Sequence, residues 1–228
     1  MNRLLRPLLS LVASVVLLAA SLPATAGSLV RFATNVGGFD VELYDTAMPI
    51  TVANFLTYVN ADRYDSTIIH RSTTYNPADI QIVQGGGYLL SGGQLLPVTT
   101  DPPIVLESGT VTNVRGTIAM ARGSAPTSAT SQFFFNVQSN PALDGNYAVF
   151  GNVVGAAGLA AIDAIGAVPV YDASVQLGAA FTELPLLNPA LNPSNVVLVQ
   201  SVNVVPEPTT LALTIAGLTA AAACRRRR

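Results

Sequence analysis

Apolar and polar residues alternate along the chain from Ser28 onward. Phe39, Val41 and Leu43 interleave with Asp40, Glu42 and Tyr44, the period-two pattern of a half-buried strand. Gly37-Gly38 precedes them and predicts a hairpin turn after a first strand over 29–34. The period then changes. Val52, Phe55, Leu56 and Val59 recur at i, i+3, i+4 and i+7 behind Pro49, which predicts a helix ending at Asn60. Short apolar runs over 67–71, 80–84, 116–121, 131–137 and 147–154 predict strands separated by Gly- and Pro-rich connections. A weaker helical period over 156–165 uses Leu159, Ile162 and Ile165. Residues 168–193 predict a long irregular connection, and 195–204 a final strand. Many strands with two isolated helices predict a mainly β domain, a closed antiparallel barrel with helices over its ends.

The two ends follow a different pattern. Arg3 and Arg6 precede an apolar run from Leu8 to Ala20, and Ala24-Thr25-Ala26 is a small-residue cleavage site. Residues 1–26 therefore read as a secretory signal peptide, with an uncleaved anchor helix as the alternative. At the other end, Val205-Pro206-Glu207-Pro208 excludes helix, Leu211 to Ala223 is apolar, and Arg225 to Arg228 close the chain. That run is short for a stable span, which needs roughly 17–25 residues. The expected organisation is a domain over 27–204 and a membrane-contacting tail over 205–228, the contact made by residues 209–224.

Charge becomes informative once the ends are set aside. The chain has no Lys; five of its arginines fall in 27–204 against twelve carboxylates, a net charge near −7. Nucleic-acid binding needs clustered cations on the phosphates, so nucleic acid is not an expected partner. The single Cys, Cys224, lies in the tail, so an exported domain must hold together without a disulfide. One His and no domain Cys exclude the usual zinc ligand sets and a cysteine nucleophile, and no metal or cofactor is expected.

The usual catalytic sets are missing. His70 has no Ser or Cys partner in a nucleophile motif and reads as structural. Gly85-Gly86-Gly87 lacks the Lys and Ser/Thr of a phosphate loop and reads as a tight backbone passage. The unusual feature is polarity at strand ends: Arg71, Gln84, and Gln132 directly before Phe133-Phe134-Phe135. An Arg with a fixed fork of donors and two Gln with both donors and acceptors, beside apolar side chains, suit a neutral peptide group.

These residues carry a family resemblance. Ile69-His70-Arg71, Ile82-Val83-Gln84-Gly85-Gly86, Gly116-Thr117-Ile118-Ala119-Met120-Ala121, Ser131-Gln132-Phe133-Phe134, Leu143-Asp144-Gly145 and Tyr147-Ala148-Val149-Phe150-Gly151 resemble cyclophilins, in the family's order. Ala47 to Phe55 is similar to the family's first-helix signature, and the resemblance spans about Ser28 to Val204. It implies an eight-stranded barrel capped by two helices that isomerises Xaa-Pro bonds without a cofactor. It also implies roles. Arg71 would be the catalytic arginine, Gln84 its support, and Ile82, Phe134 and Leu143 the proline pocket. Ala121 and Gln132 would hold the peptide backbone, and Tyr147 would stand at the groove's rim. The expected partners are proline-containing peptides or unfolded exported proteins.

Three departures from the pattern stand out. Gln81 falls where many members carry a pocket Phe, and Ala142 replaces an aromatic residue found in some members. The Arg71-to-Gln84 spacing is a few residues long through Ser72 to Asp79, which would place a flap beside the groove. The first two motivate an alternative reading, a low-turnover proline-peptide binding module of the envelope or extracellular matrix. The tail resembles the PEP-CTERM sorting signal of Gram-negative envelope proteins, which implies a C-terminal sorting enzyme as partner. Under that resemblance the protein is exported to the periplasm, outer envelope or extracellular matrix. The alternative for the tail is a permanent membrane anchor.

Overall fold

The computed structural model describes residues 27–73 and 80–206. The expected signal peptide, residues 74–79 of the flap expected over 72–79, and the tail beyond 206 lie outside the described residues. The first strands form as the alternation predicts. β1 (Leu29–Thr34) and β2 (Gly38–Leu43) make a hairpin in which Val30, Phe32, Phe39, Val41 and Leu43 are buried. Helix α1 (Pro49–Asn60) follows, with Thr51, Val52, Asn54, Phe55, Tyr58 and Val59 buried. Its N-terminus has no local side-chain cap. Instead the Glu107 carboxylate, from a distant loop, accepts hydrogen bonds from the backbone N–H groups of Ile50 and Thr51 at 3.0 and 2.6 Å. An anion there satisfies orphan donors and opposes the positive end of the helix dipole.

The remaining strands are β3 (Thr67–Ile68), β4 (Arg71–Ser72), β5 (Ile82–Gly85), β6 (Tyr88–Ser91), β7 (Gln94–Pro97), β8 (Thr117–Met120), β9 (Phe133–Asn136) and β10 (Val149–Val153). Helix α2 (Gly155–Gly166) comes next, then β11 (Val170–Tyr171), the short α3 (Ser174–Leu177), β12 (Leu184–Pro185) and β13 (Leu198–Val204). One curled antiparallel sheet runs in the order β4-β5-β9-β8-β10-β2-β1-β13-β3-β6-β7, and β11 pairs with β12 in a separate ribbon. The fold is mainly β with few helices, as expected, but the sheet carries eleven strands where eight were expected.

Two causes account for the difference. The strand expected over 67–71 is interrupted because its partner changes along its length. Thr67 and Ile68 pair with β13, whereas Arg71 and Ser72 pair with β5. Between them Ile69 N–H donates to the Val197 carbonyl and His70 N–H to the Gln84 carbonyl. The second cause is the β6–β7 hairpin, whose Gly92-Gly93 turn has positive φ at both residues (57° and 79°). That is the requirement of a tight two-residue turn, and a Gly-Gly pair between apolar runs was a legible signal for it.

The connection over 168–193 is not irregular throughout. It holds β11, α3 and β12, and it builds a second apolar cluster from Ala173, Phe181, Leu184 and Leu186 against Ile68 and Val196. Its apolar residues follow neither a helical nor a strand period, so the pattern alone could not place them.

The main core is an aromatic assembly. Phe32 stacks on Phe39 at 5.1 Å between ring centroids, and Phe133 meets Phe32, Phe55 and Tyr64 edge-on at 5.3–5.9 Å. Such offset and edge-to-face contacts add to the burial of the rings themselves. The glycine run after β5 passes close to this core. Ser131 Oγ donates to the Gly86 carbonyl at 2.7 Å, and Tyr64 OH donates to the Ser131 carbonyl at 2.8 Å. Gly86 has φ of 75°, and a Cβ added there would stand 2.7 Å from the Ser131 carbonyl oxygen and 3.0 Å from the Phe133 ring. The passage is as tight as the sequence suggested. Among the described residues no helix is long and apolar enough to cross a membrane. Gly86→Ala should therefore destabilise the protein by about 2 kcal/mol or more, from left-handed strain and the backbone clash together. Urea unfolding at matched m-value checks this, and a variant as stable as the parent would show that the passage shifts without cost.

Candidate active site

Strand alternation divides β9 between core and surface groove. Phe133 and Phe135 point into the aromatic core, and Phe134 points the other way. In β5, Val83 joins the core while Ile82 and Gln84 face outward with Phe134. The register sets these residues side by side. Arg71 is opposite Gln84, Gln84 is opposite Phe134, and Phe134 is opposite Ala119. Four neighbouring strands thus place a cation, an amide and an aromatic ring, with the buried Ala119 beyond them, on one face of the sheet.

The result is a cavity of about 580 Å³ lined by Arg71, Thr73, Ile80, Ile82, Gln84, Ala121, Arg122, Phe134, Leu143, Tyr147 and Glu183. Seven of the eight residues singled out in the sequence line it. The eighth, Gln132, lines a smaller adjoining cavity that shares Gln84, Ala121 and Arg122. Gln84 Nε2 donates to Gln132 Oε1 at 2.8 Å and links the two. The apolar end of the cavity is a cluster of Ile82, Ala119, Phe134, Leu143 and Val149, with Tyr147 against Phe134 in an edge contact at 5.3 Å.

Buried amides hold that apolar end in place. Leu143 sits on a single turn over 141–143. Next to it the Asp144 carboxylate accepts from the backbone N–H and side-chain amide of Asn113. Asn140 brackets Gln81, accepting from its N–H and donating to its carbonyl, both at 3.0 Å, and also donates to Asn136. Asn136 donates onward to Thr117 Oγ1 at 2.9 Å. Satisfied networks of this kind rigidify what they join.

Some expectations shift with the geometry. Gln81 is not part of the cavity lining; Ile80 and Ile82 form that wall, and Gln81 is engaged through its main chain. Ala142 lies on an open groove beyond Leu143, together with Arg122, Asn146 and Tyr147. Arg71, for which the resemblance implied Gln84 as the support, also has a carboxylate partner: its Nε donates to Glu183 Oε2 at 2.6 Å. Sequence reasoning missed Glu183, Arg122 and Thr73. Arg122 is held by the Asn146 and Gly123 carbonyls and lies over the Tyr147 ring at 5.5 Å. Thr73 Oγ1 donates to the Ile80 carbonyl and accepts from Ile82 N–H. Glu183 carried no usable signal, because it lies 112 residues from Arg71 in a segment without period.

His70 is buried and does not line the cavity. Its ring packs edge-on against Tyr88 at 5.1 Å, and Tyr88 packs on Phe181. Burial, and then the neighbouring Arg71 charge, push its pKa down to about 4, against a hydrogen bond with Gln132 that opposes the shift. The imidazole is therefore neutral at physiological pH, and the structural reading of this lone His fits its position.

The fold and this groove define the class. The model of the family described as cyclophilin type peptidyl-prolyl cis-trans isomerase/CLD matches residues 29–179, and the PEP-CTERM protein-sorting motif matches 204–228. A peptidyl-prolyl cis-trans isomerase of Acinetobacter baylyi is 41% identical over 152 residues, 64% of this chain and 76% of that protein. Peptidyl-prolyl cis-trans isomerase A of Dickeya dadantii is 40% identical over 156 residues, 64% and 78% of the two chains. Peptidyl-prolyl cis-trans isomerase B of Escherichia coli is 37% identical over 134 residues, 55% and 77%. The crystal structure of a Cryptosporidium parvum cyclophilin type peptidyl-prolyl cis-trans isomerase superposes with a TM-score of 0.57 at 23% identity, covering 79% of this chain and 99% of that one. The chain belongs to the cyclophilin-type peptidyl-prolyl cis-trans isomerase family.

The burial of His70 has a pH consequence. Between pH 6.5 and 4 the unfolded chain binds a proton at this ring and the folded chain does not, so stability falls as pH falls through that window. The shift corresponds to a loss of up to about 3 kcal/mol by pH 4, with none above pH 7. Urea unfolding of wild type and His70→Gln across this range should give a shallower pH slope for the variant. Parallel slopes would mean that His70 titrates normally in the folded state.

Proposed function

We propose that this groove isomerises Xaa-Pro bonds of exported proteins, with Arg71 as the donor that stabilises the twisted peptide bond. Isomerase activity goes with the family to which the chain belongs; the roles given to single residues are the proposal. Peptide rotation is opposed by ~18–20 kcal/mol of C–N double-bond character, and uncatalysed Xaa-Pro exchange takes roughly tens to hundreds of seconds. Rotation localises the lone pair on the Pro nitrogen. A guanidinium aimed there binds the twisted state better than either planar state, which is the condition for catalysis. The chemistry needs no acid, base or cofactor.

The single observation that carries this reading is the shared face of Arg71, Gln84 and Phe134, fixed by register on three adjacent strands. Ile82, Phe134 and Leu143 form an apolar recess suited to a Pro ring. Ala121, Gln132 and Tyr147 flank it where the peptide's backbone would run. Counting Thr67–Ser72 as one interrupted strand and setting aside the β6–β7 hairpin leaves eight strands. That segment pairs with β13 at one end and β5 at the other, which supports a barrel closed through it.

Exchange of a short peptide with one internal Ala-Pro bond, followed by NMR with the purified protein, tests the assignment. Wild type should accelerate exchange, and Arg71→Ala should lower kcat/KM by about a hundredfold, the effect of losing one transition-state donor. An Arg71→Ala protein as active as wild type would sink the role given to Arg71. Binding of the peptide without faster exchange would instead support a proline-peptide binding module.

The organisation we propose is a signal peptide over 1–26, the isomerase domain over 27–204 and a sorting tail over 205–228. The match of residues 204–228 to the sorting motif supports the last part. Pro206 and Pro208 would keep the segment before residues 209–224 extended and reachable by a sorting enzyme. The apolar run would insert only marginally, and Arg225 to Arg228 would resist transfer across the bilayer. The native mature protein should then end near Pro208 and reside in the outer envelope or extracellular matrix. Mass spectrometry of the protein from its host decides this: an intact Arg228 in the inner membrane would mean a permanent anchor.

A further inference from the structure

We propose that Glu183 is the positioning residue for Arg71, holding the guanidinium by its Nε so that its terminal nitrogens serve the groove. This inference rests on the reading of Arg71 as the transition-state donor. Arg71 is 42% exposed on its side chain and Glu183 only 19%, so the carboxylate is the covered member of the pair. An exposed Arg on a flexible stem samples many rotamers, and a catalytic donor must be held within a narrow range of positions. A carboxylate bound at Nε fixes the plane of the guanidinium and leaves both terminal NH₂ groups as donors. Coverage of the carboxylate also reduces solvent screening of the pair.

The carboxylate is itself firmly placed. Glu183 stands between Phe181 and Leu184, both buried in the second apolar cluster. Its carbonyl accepts from Ser72 N–H at 2.9 Å, and Leu184 pairs with Tyr171. β4 is therefore flanked by Gln84 of β5 on one side and by the Glu183 main chain on the other. Arg71 thus stands between an amide and a carboxylate carried by two different parts of the chain. Glu183 also lies beyond the residues matched to the family model, 29–179. The pairing is supplied by the segment between α2 and β13.

The proline-exchange assay on the full chain tests the proposal, with kcat and KM separated. Glu183→Ala should lower kcat about tenfold with KM within twofold of wild type. Glu183→Gln, which keeps an acceptor oxygen without the charge, should recover part of that loss. In an Arg71→Ala background Glu183→Ala should have no further effect on the residual rate, because no guanidinium remains to hold; a merely structural role would add its cost in either background. Thermal melting establishes that each variant is folded, and if Glu183→Ala is not, Glu183→Gln carries the test with an expected threefold drop. A folded Glu183→Ala or Glu183→Gln with wild-type or higher kcat overturns the proposal. Should Arg71→Ala be slow while the Glu183 variants are unchanged, only the positioning role fails. Should Arg71→Ala itself run at the wild-type rate, the underlying reading of the site fails.

Discussion

The two-residue period of the strand is the constraint on which this protein depends. In Phe133-Phe134-Phe135 three identical side chains meet two different fates, because successive residues of a strand leave on opposite faces. The outer two close an aromatic core with Phe32, Phe39 and Phe55, and the middle one faces the groove. β5 repeats the division with Val83 inward and Ile82 and Gln84 outward. A one-residue slip between β5 and β9 would exchange the two faces and put Gln84 into the core. Core and groove are therefore specified by the same register. The packing that stabilises the sheet is also what aligns the groove's residues.

On the proposed reading, this coupling explains how bond rotation can be served by a groove that presents no acid–base pair. Bond rotation requires a directed donor and a dry recess, and both can be displayed on a rigid sheet without tuning any pKa. His70 shows the same logic from the other side. Burial beside Arg71 keeps its ring neutral, so the guanidinium has no second positive charge at its back. Tyr88 and Phe181 pack behind the ring in sequence, and this stack ties the arginine's strand to the segment that brings Glu183.

Much of this was legible from residue pattern. β1 and α1 were readable to the residue, and β2 to within one residue at each end, because each has a clean period and an evident breaker, Gly37-Gly38 or Pro49. The groove residues were readable because polar side chains at the ends of apolar strands are unusual, and because their order along the chain resembles one family. Three things were not readable, each for its own reason. The break in 67–72 depends on a change of pairing partner, which no local pattern encodes. The ribbon and second cluster in 168–197 draw on aperiodic apolar residues whose partners are Ile68, Tyr88 and Leu90 far upstream. Gln81 is absent from the cavity lining because its neighbours Ile80 and Ile82 take that side, an alternation that alignment of motifs does not show.

The segment after α2 does more than return the chain to β13. An exported domain with no cysteine in 27–204 must draw its stability from packing, and its main core takes only Val168 and Val197 from this segment. The second cluster buries Phe181, Leu184 and Leu186 against the β3 and β6 side of the sheet, and in doing so it covers what would otherwise be exposed apolar surface beside Ile68. Packing here has a chemical by-product. Once Phe181 and Leu184 are fixed, Glu183 between them can only turn outward, and the side it reaches is that of Arg71. Among twelve carboxylates in an acidic domain, this one is placed at the groove by the burial of its neighbours. On the proposed reading, the packing of the segment and the orientation of the arginine are linked through this one side chain.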